Sequence, residues 1–104
     1  MTITTYVGII VAEFEWDENK NRANVRKHGI SFQEASRIFR LPTLDEIDDR
    51  QDYGETRIAS VGETDGKILY VVYTWRDDVI RIISARKANQ HEKRAYSEIH
   101  QRRN

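Results

Sequence analysis

Apolar and polar positions recur along this chain with two periods, and the change from one to the other marks out its elements. From Ile9 to Trp16, β-branched and aromatic residues are mixed, which predicts an edge strand. Asp17 suits an N-cap, and Glu18 suits the positive end of a helix dipole. A helix is expected from there to about His28, with Gly29 as its left-handed stop. It is unusually polar, since Ala23 and Val25 are its only apolar members, so it has to dock through its flanks, Trp16 and Ile30. Ser31 with Glu34 three residues on reads as a capping box, and Phe32, Ala35, Ile38 and Phe39 then share one helical face. Pro42 ends this second helix, because the residue before a proline is pushed out of the α region.

Beyond Pro42 the period shortens to two. The acidic stretch Thr43 to Tyr53 predicts a short strand and an exposed loop. Strands are expected over Thr56 to Gly62, Lys67 to Trp75 and Val79 to Arg86. Thr64-Asp65-Gly66 and Arg76-Asp77-Asp78 supply hairpin connections. The run Ile68 to Tyr73 is apolar on both faces, which predicts a central strand covered twice. Asn89 with Glu92 offers a second capping box, opening a last helix that carries Ala95, Tyr96 and Ile99. No repeat, low-complexity tract or linker interrupts the pattern. The expected class is α+β: an antiparallel sheet with helices packed on one side. A single domain spans 1–104, with its core over 13–100 and with 1–12 as an N-terminal extension or edge strand.

Composition narrows the function classes. A chain of 104 residues can bury one core without disulfides or metals. It has no cysteine, so disulfides, thiolate metal sites and cysteine nucleophiles are excluded together. The segment Met1 to Val11 has no basic n-region or cleavage site, and no stretch approaches the roughly 20 apolar residues of a membrane span. A soluble cytoplasmic protein is expected. Seventeen basic and 17 acidic residues balance, which argues against coating nucleic acid by bulk charge. The balance hides a gradient, with acids concentrated from Asp45 to Glu55 and bases from Arg81 to the end.

Two blocks carry candidate chemistry. Lys20, Asn24, Lys27 and His28 fall at i, i+4, i+7 and i+8, so one helical stripe presents two cations, an amide and an imidazole. Such a set suits a phosphate with a proton acceptor beside it. A solvated helix face with a histidine near its C-cap would present the same residues. In the second block, strand alternation places Arg81, Ile83 and Ala85 on one face and Ile82, Ser84 and Arg86 on the other. Arg57 opens another strand of the same sheet. Converging arginines would make an anion site. Alternatively, Arg86 pairs with Glu92 or with an acid of the 45–55 loop. Other templates fail: GxGxxG, the P-loop, HExxH and GxSxG are all missing, as is the aromatic signature of an RNA-recognition motif.

Taken together, Trp16-Asp17, Lys20, Asn24, Lys27-His28-Gly29-Ile30-Ser31-Phe32, Glu34-Ala35, and later Arg81 through Ala88 with Glu92 and Tyr96, resemble the BrnT family. Those proteins are ribonuclease toxins of bacterial type II toxin–antitoxin modules. The likeness runs in order from about Phe14 to Ile99. It implies a RelE-like fold, RNA cleavage that blocks translation, and neutralisation by a BrnA-type antitoxin with a ribbon-helix-helix DNA-binding domain. Operator DNA would then be met only through the antitoxin, and the complex allows a toxin homodimer. No cofactor, metal or membrane is implied. RNA carries its own nucleophile, the 2′-hydroxyl, so a base, an acid and a charge stabiliser suffice. His28 is the candidate base or acid, with Lys27, Arg57 and Arg86 stabilising charge and with Tyr96 or Glu92 orienting one of them. Lys20, Asn24, Arg81, Lys87 and Tyr96 are the candidate substrate-binding residues. Two alternatives stand beside this: an inactive toxin-like module that only pairs with an antitoxin, and a DNA-binding accessory domain.

Overall fold

The protein is described by a computed structural model covering residues 12–103. A five-stranded sheet runs in the order β1-β5-β4-β3-β2. Its strands are β1 (Glu13–Glu15), β2 (Leu44–Asp48), β3 (Arg57–Thr64), β4 (Lys67–Arg76) and β5 (Val79–Lys87). The helices are α1 (Glu18–His28), α2 (Phe32–Ser36), continued by a 3₁₀ turn over Arg37–Arg40, and α3 (Gln90–Arg103). The expected α+β class stands, with one correction. The sheet is mixed, because β1 lies parallel to β5, whereas β2 to β5 form the expected antiparallel meander. α1 follows β1 and carries the chain away from the sheet, so no hairpin joins β1 to its neighbour. Of the predicted first strand, Ile9 to Val11 lie outside the described residues.

Local chemistry accounts for most of the boundaries. The Asp17 carboxylate accepts from the Lys20 N–H at 3.1 Å and opens α1, and Gly29 closes it at φ 72°. Ser31 accepts from the Glu34 N–H, but the Glu34 carboxylate turns away to Lys67, so only half of the expected capping box forms. The Asn89–Glu92 box is complete in both directions. The β3–β4 loop is reduced to Asp65-Gly66, both at positive φ, which suits the twist of a tight hairpin.

β4 occupies the middle of the sheet and is apolar on both faces, as its composition predicts. On one face Leu69, Val71 and Tyr73 join Ile80, Ile82 and Ala85 of β5 under Ile30, Phe32, Ala35, Ile38 and Phe39. Phe39 meets the Tyr73 ring edge-on at 5.1 Å. Gly62 lets the 3₁₀ turn approach β3, since a Cβ there would sit 2.8 Å from that of Ile38. On the opposite face Ala59, Val61, Tyr70 and Val72 form a smaller cluster with Ala88 and Tyr96. α3 packs there, against β2 and β3.

One irregularity decides where the cations go. In the β4–β5 ladder Val72 pairs with Ser84, while Tyr73 pairs with Ile82, so Ile83 is an extra residue. A bulge of this kind reverses the alternation beyond it. Ala85 therefore joins Ile80 and Ile82 in the large core, instead of lying with Arg81 and Ile83. Arg86, opposite Tyr70, comes onto the same face as Arg81, opposite Thr74. Strict alternation had placed these two arginines on opposite faces.

Candidate functional site

β1 accompanies β5 only as far as Arg81, and among the described residues no strand pairs with the outer edge of β5 beyond that point. α1 fills the gap through Asn24. Its Nδ2 donates to the Ala85 carbonyl at 2.8 Å, and its Oδ1 accepts from the Ala85 N–H at 3.2 Å. The side-chain amide thus stands in for the peptide group of a missing strand. Nδ2 also donates to the Ile30 carbonyl at 2.8 Å, fixing the exit from the helix. Asn21, one turn earlier, accepts from the Phe32 N–H. A helix with hardly any apolar residues docks through two buried asparagines. Asn24 is consequently a tie between α1 and β5, with its amide turned away from the exposed stripe.

The tie brings the last turn of α1 over the edge of β5. Lys27 and His28 there line an open groove of about 300 Å³ together with Arg50, Tyr70, Val72, Ser84, Ala85 and Arg86. Three of the four residues expected to carry catalysis, Lys27, His28 and Arg86, are therefore brought together from opposite ends of the sequence. Arg50 and Tyr70 are added to them. Sequence reading missed both, because Arg50 is the single base in an acidic loop and Tyr70 reads as part of an apolar strand.

Each arginine of the groove is fixed by a carboxylate. Arg86 grips Glu92 in two places, at 2.8 and 2.9 Å, and its guanidinium lies 3.9 Å above the Tyr70 ring. The alternative of an Arg86–Glu92 pair is thus realised in this structure. The contact holds the Glu92 carboxyl below its ordinary range and raises the arginine further. These bonds use Nη1 and Nη2, and Nε lies outside them. Arg50 grips Asp48 in the same manner, at 2.7 and 2.9 Å. The Asp48 side chain is 2% exposed against 65% for Arg50, so the carboxylate is buried while the cation faces water. Arg50 holds the Asp48 carboxyl low. Burial pushes the Tyr70 hydroxyl up, so Tyr70 stays protonated at neutral pH. The groove offers positive charge, an imidazole and a phenol around a floor of valine and alanine.

The other expected residues lie elsewhere. Arg57 stacks 4.0 Å from the centre of the Tyr53 ring and pairs with Glu55 at 3.3 Å, outside the groove lining. Arg81 pairs with Glu15 of β1 at 2.8 Å. Lys20 is exposed near the start of α1. Tyr96 is 3% exposed and belongs to the smaller core. Lys87 lines a second concavity, with Lys67 and Lys93. Among the described residues no group of three His, Asp or Glu side chains is placed to hold a metal ion. No described helix is long and apolar enough to cross a membrane.

The sheet edge of this small α+β domain thus carries a groove lined by a lysine, two arginines, a histidine and a tyrosine. Residues 16–92 match the family model described as ribonuclease toxin, BrnT, of type II toxin–antitoxin system. The chain belongs to that family. A search of curated proteins finds no match. The matched span contains every residue of the groove.

Proposed function

We propose that this ribonuclease toxin cleaves RNA at the groove between α1 and β5, without a metal, and that the loss of cleaved RNA arrests translation. The observation that carries the reading is the convergence of Lys27, His28, Arg50 and Arg86 on one concavity. A phosphodiester seated there would meet positive charge from three sides. The 2′-oxygen attacks the adjacent phosphorus as His28 accepts its proton. Negative charge then builds on the non-bridging oxygens, where Lys27, Arg50 and the Arg86 Nε stabilise it. The P–O5′ bond breaks, and the 5′-oxygen takes up a proton, which the Tyr70 hydroxyl in the lining supplies. The products are a 2′,3′-cyclic phosphate and a 5′-hydroxyl. Nothing in that sequence calls for a metal-bound water, because the nucleophile belongs to the substrate.

The test is cleavage in excess EDTA followed by analysis of the RNA ends. Cyclic phosphate ends with undiminished cleavage are expected, and His28→Ala should lower the rate by about a hundredfold or more, in line with the loss of one general acid–base group. Activity that disappears in EDTA and returns with magnesium would overturn the mechanism. The two-point Arg86–Glu92 ion pair favours a second reading, in which the groove is a docking surface alone. On that reading His28→Ala would leave RNA cleavage and growth arrest as they are in the wild type.

The partner we propose is an antitoxin of the ribbon-helix-helix class encoded beside the toxin, which carries any contact with operator DNA. The proposed compartment is the cytoplasm, where both RNA and antitoxin are available. Isolation of the toxin with its neighbour's product from cell extracts tests this pairing.

A further inference from the structure

A second cationic concavity lies around the end of β5 from the first. Lys67, Lys87 and Lys93 line it with Gly66 and Ile68, and it encloses about 280 Å³. Its lysines come from the starts of β4 and α3 and from the last residue of β5, so the fold gathers them from three elements. No carboxylate lies in its lining. Lys67 is drawn to Glu34 at 2.8 Å, whereas Lys87 and Lys93 are exposed. Lys87 directly follows Arg86, and successive Cα atoms lie only about 3.8 Å apart. Because side chains alternate along a strand, Arg86 and Lys87 flank the end of β5 on opposite sides. Glu92, six residues after Arg86, is already engaged by Arg86 and the Asn89 N–H.

We infer that the lysine concavity is a second phosphate subsite, which holds the single-stranded RNA that continues from the cleavage groove. The inference rests on the reading of that groove as the cleavage site. Lysines without aromatic partners hold phosphate as point charges and ignore the base, so this subsite adds affinity and little sequence preference. Longer RNA then binds better than short RNA because it reaches both concavities.

The test uses single-stranded RNA with 2′-O-methyl groups, which cannot be cleaved, as oligonucleotides of two nucleotides and of about a dozen, the scale of a small single-strand site. Binding is followed by fluorescence anisotropy over a range of salt. The expected outcome for Lys87→Glu with Lys93→Glu is an affinity loss that grows with length and reaches at least about tenfold on the longer strand. The slope of log affinity against log salt should also fall by about 1.4, from two lost phosphate contacts at about 0.7 each. Lys87→Gln with Lys93→Gln serves where reversal disturbs folding, with circular dichroism as the check. Wild-type affinity and slope on the longer strand would overturn the inference. So would unchanged RNA binding with a weakened antitoxin complex, which would give the surface to an acidic protein segment. Failure of the groove reading shows separately, as full RNA cleavage by His28→Ala, and leaves the length dependence measurable.

Discussion

At the scale of single residues, Asn24 and Arg86 show how a side chain can serve the fold and the site together. Asn24 shares a helical stripe with Lys20, Lys27 and His28, and from sequence it reads as one more group for substrate. In the structure it is 7% exposed and makes three bonds to backbone atoms of Ile30 and Ala85. Nothing in the periodicity distinguishes an asparagine facing water from one completing a sheet edge. Asn24→Ala would strand a buried N–H and two carbonyls, so a loss of about 2–4 kcal/mol is expected in chemical denaturation, on the scale of unsatisfied buried groups. RNA cleavage should fall with the displacement of Lys27 and His28. Asn24→Asp, which keeps the acceptor and loses both donors, should be nearly as damaging.

Arg86 faces the opposite test. Arg86→Ala should lower cleavage by at least about tenfold, or about 1.4 kcal/mol in the barrier. The pair is partly exposed, so its share of stability is modest. The Glu92 carboxyl lies below its ordinary 4.5 in the folded protein because of Arg86. A carboxyl lowered on folding contributes stability above its unfolded value and loses that contribution as pH falls through the folded one. Thermal stability of the wild type should therefore decline below about pH 4.5, and Glu92→Gln should make the decline shallower. An identical acid slope in wild type and variant would show that the pair contributes nothing to the fold.

Elements were the most legible scale. Capping residues, Gly29, Pro42 and the two-residue period place every helix and strand within a few residues, since these signals are local. What escaped was register. The extra residue at Ile83 follows from how β4 and β5 twist against each other, and no single strand carries that information. The parallel pairing of β1 was equally hidden, because its partner lies 66 positions away, as the Glu15–Arg81 bond illustrates. The Gly62 contact belongs to this class of long-range facts. Gly62→Ala would force a Cβ within 2.9 Å of both Ile38 and Thr43, on a strand beneath a buried turn. A loss of about 1–3 kcal/mol is expected, as for other overpacked cores. A calorimetric midpoint equal to that of the wild type would mean that the 3₁₀ turn moves aside freely.

For the whole molecule, the balanced charge conceals an uneven distribution of unpaired cations. Arg57 and Arg81 carry carboxylate partners, as do Arg50 and Arg86 in the groove, whereas Lys27 there and Lys87 and Lys93 in the second concavity are exposed. An antitoxin that silences the enzyme by covering the groove needs acidic residues there and an apolar anchor beside them. Trp75 is unsuited to the anchoring role suggested by its aromatic character, because it packs against the large core beside Tyr73. Val25, 44% exposed on the same helix as Lys27 and His28, is better placed. Interface energy concentrates in such anchors, whereas complementary charge mainly accelerates encounter. Two separable effects are therefore expected when the toxin meets its antitoxin. Lys27→Glu should slow association by about tenfold at low salt, with a difference that shrinks as salt rises, and it should impair RNA cleavage as well. Val25→Asp should speed dissociation and leave cleavage near that of the wild type, because Val25 is not part of the groove lining. Surface plasmon resonance at two salt concentrations, with a cleavage assay on the same variants, separates the two. If Lys27→Glu binds the antitoxin with unchanged kinetics while cleavage is lost, the antitoxin docks away from the groove.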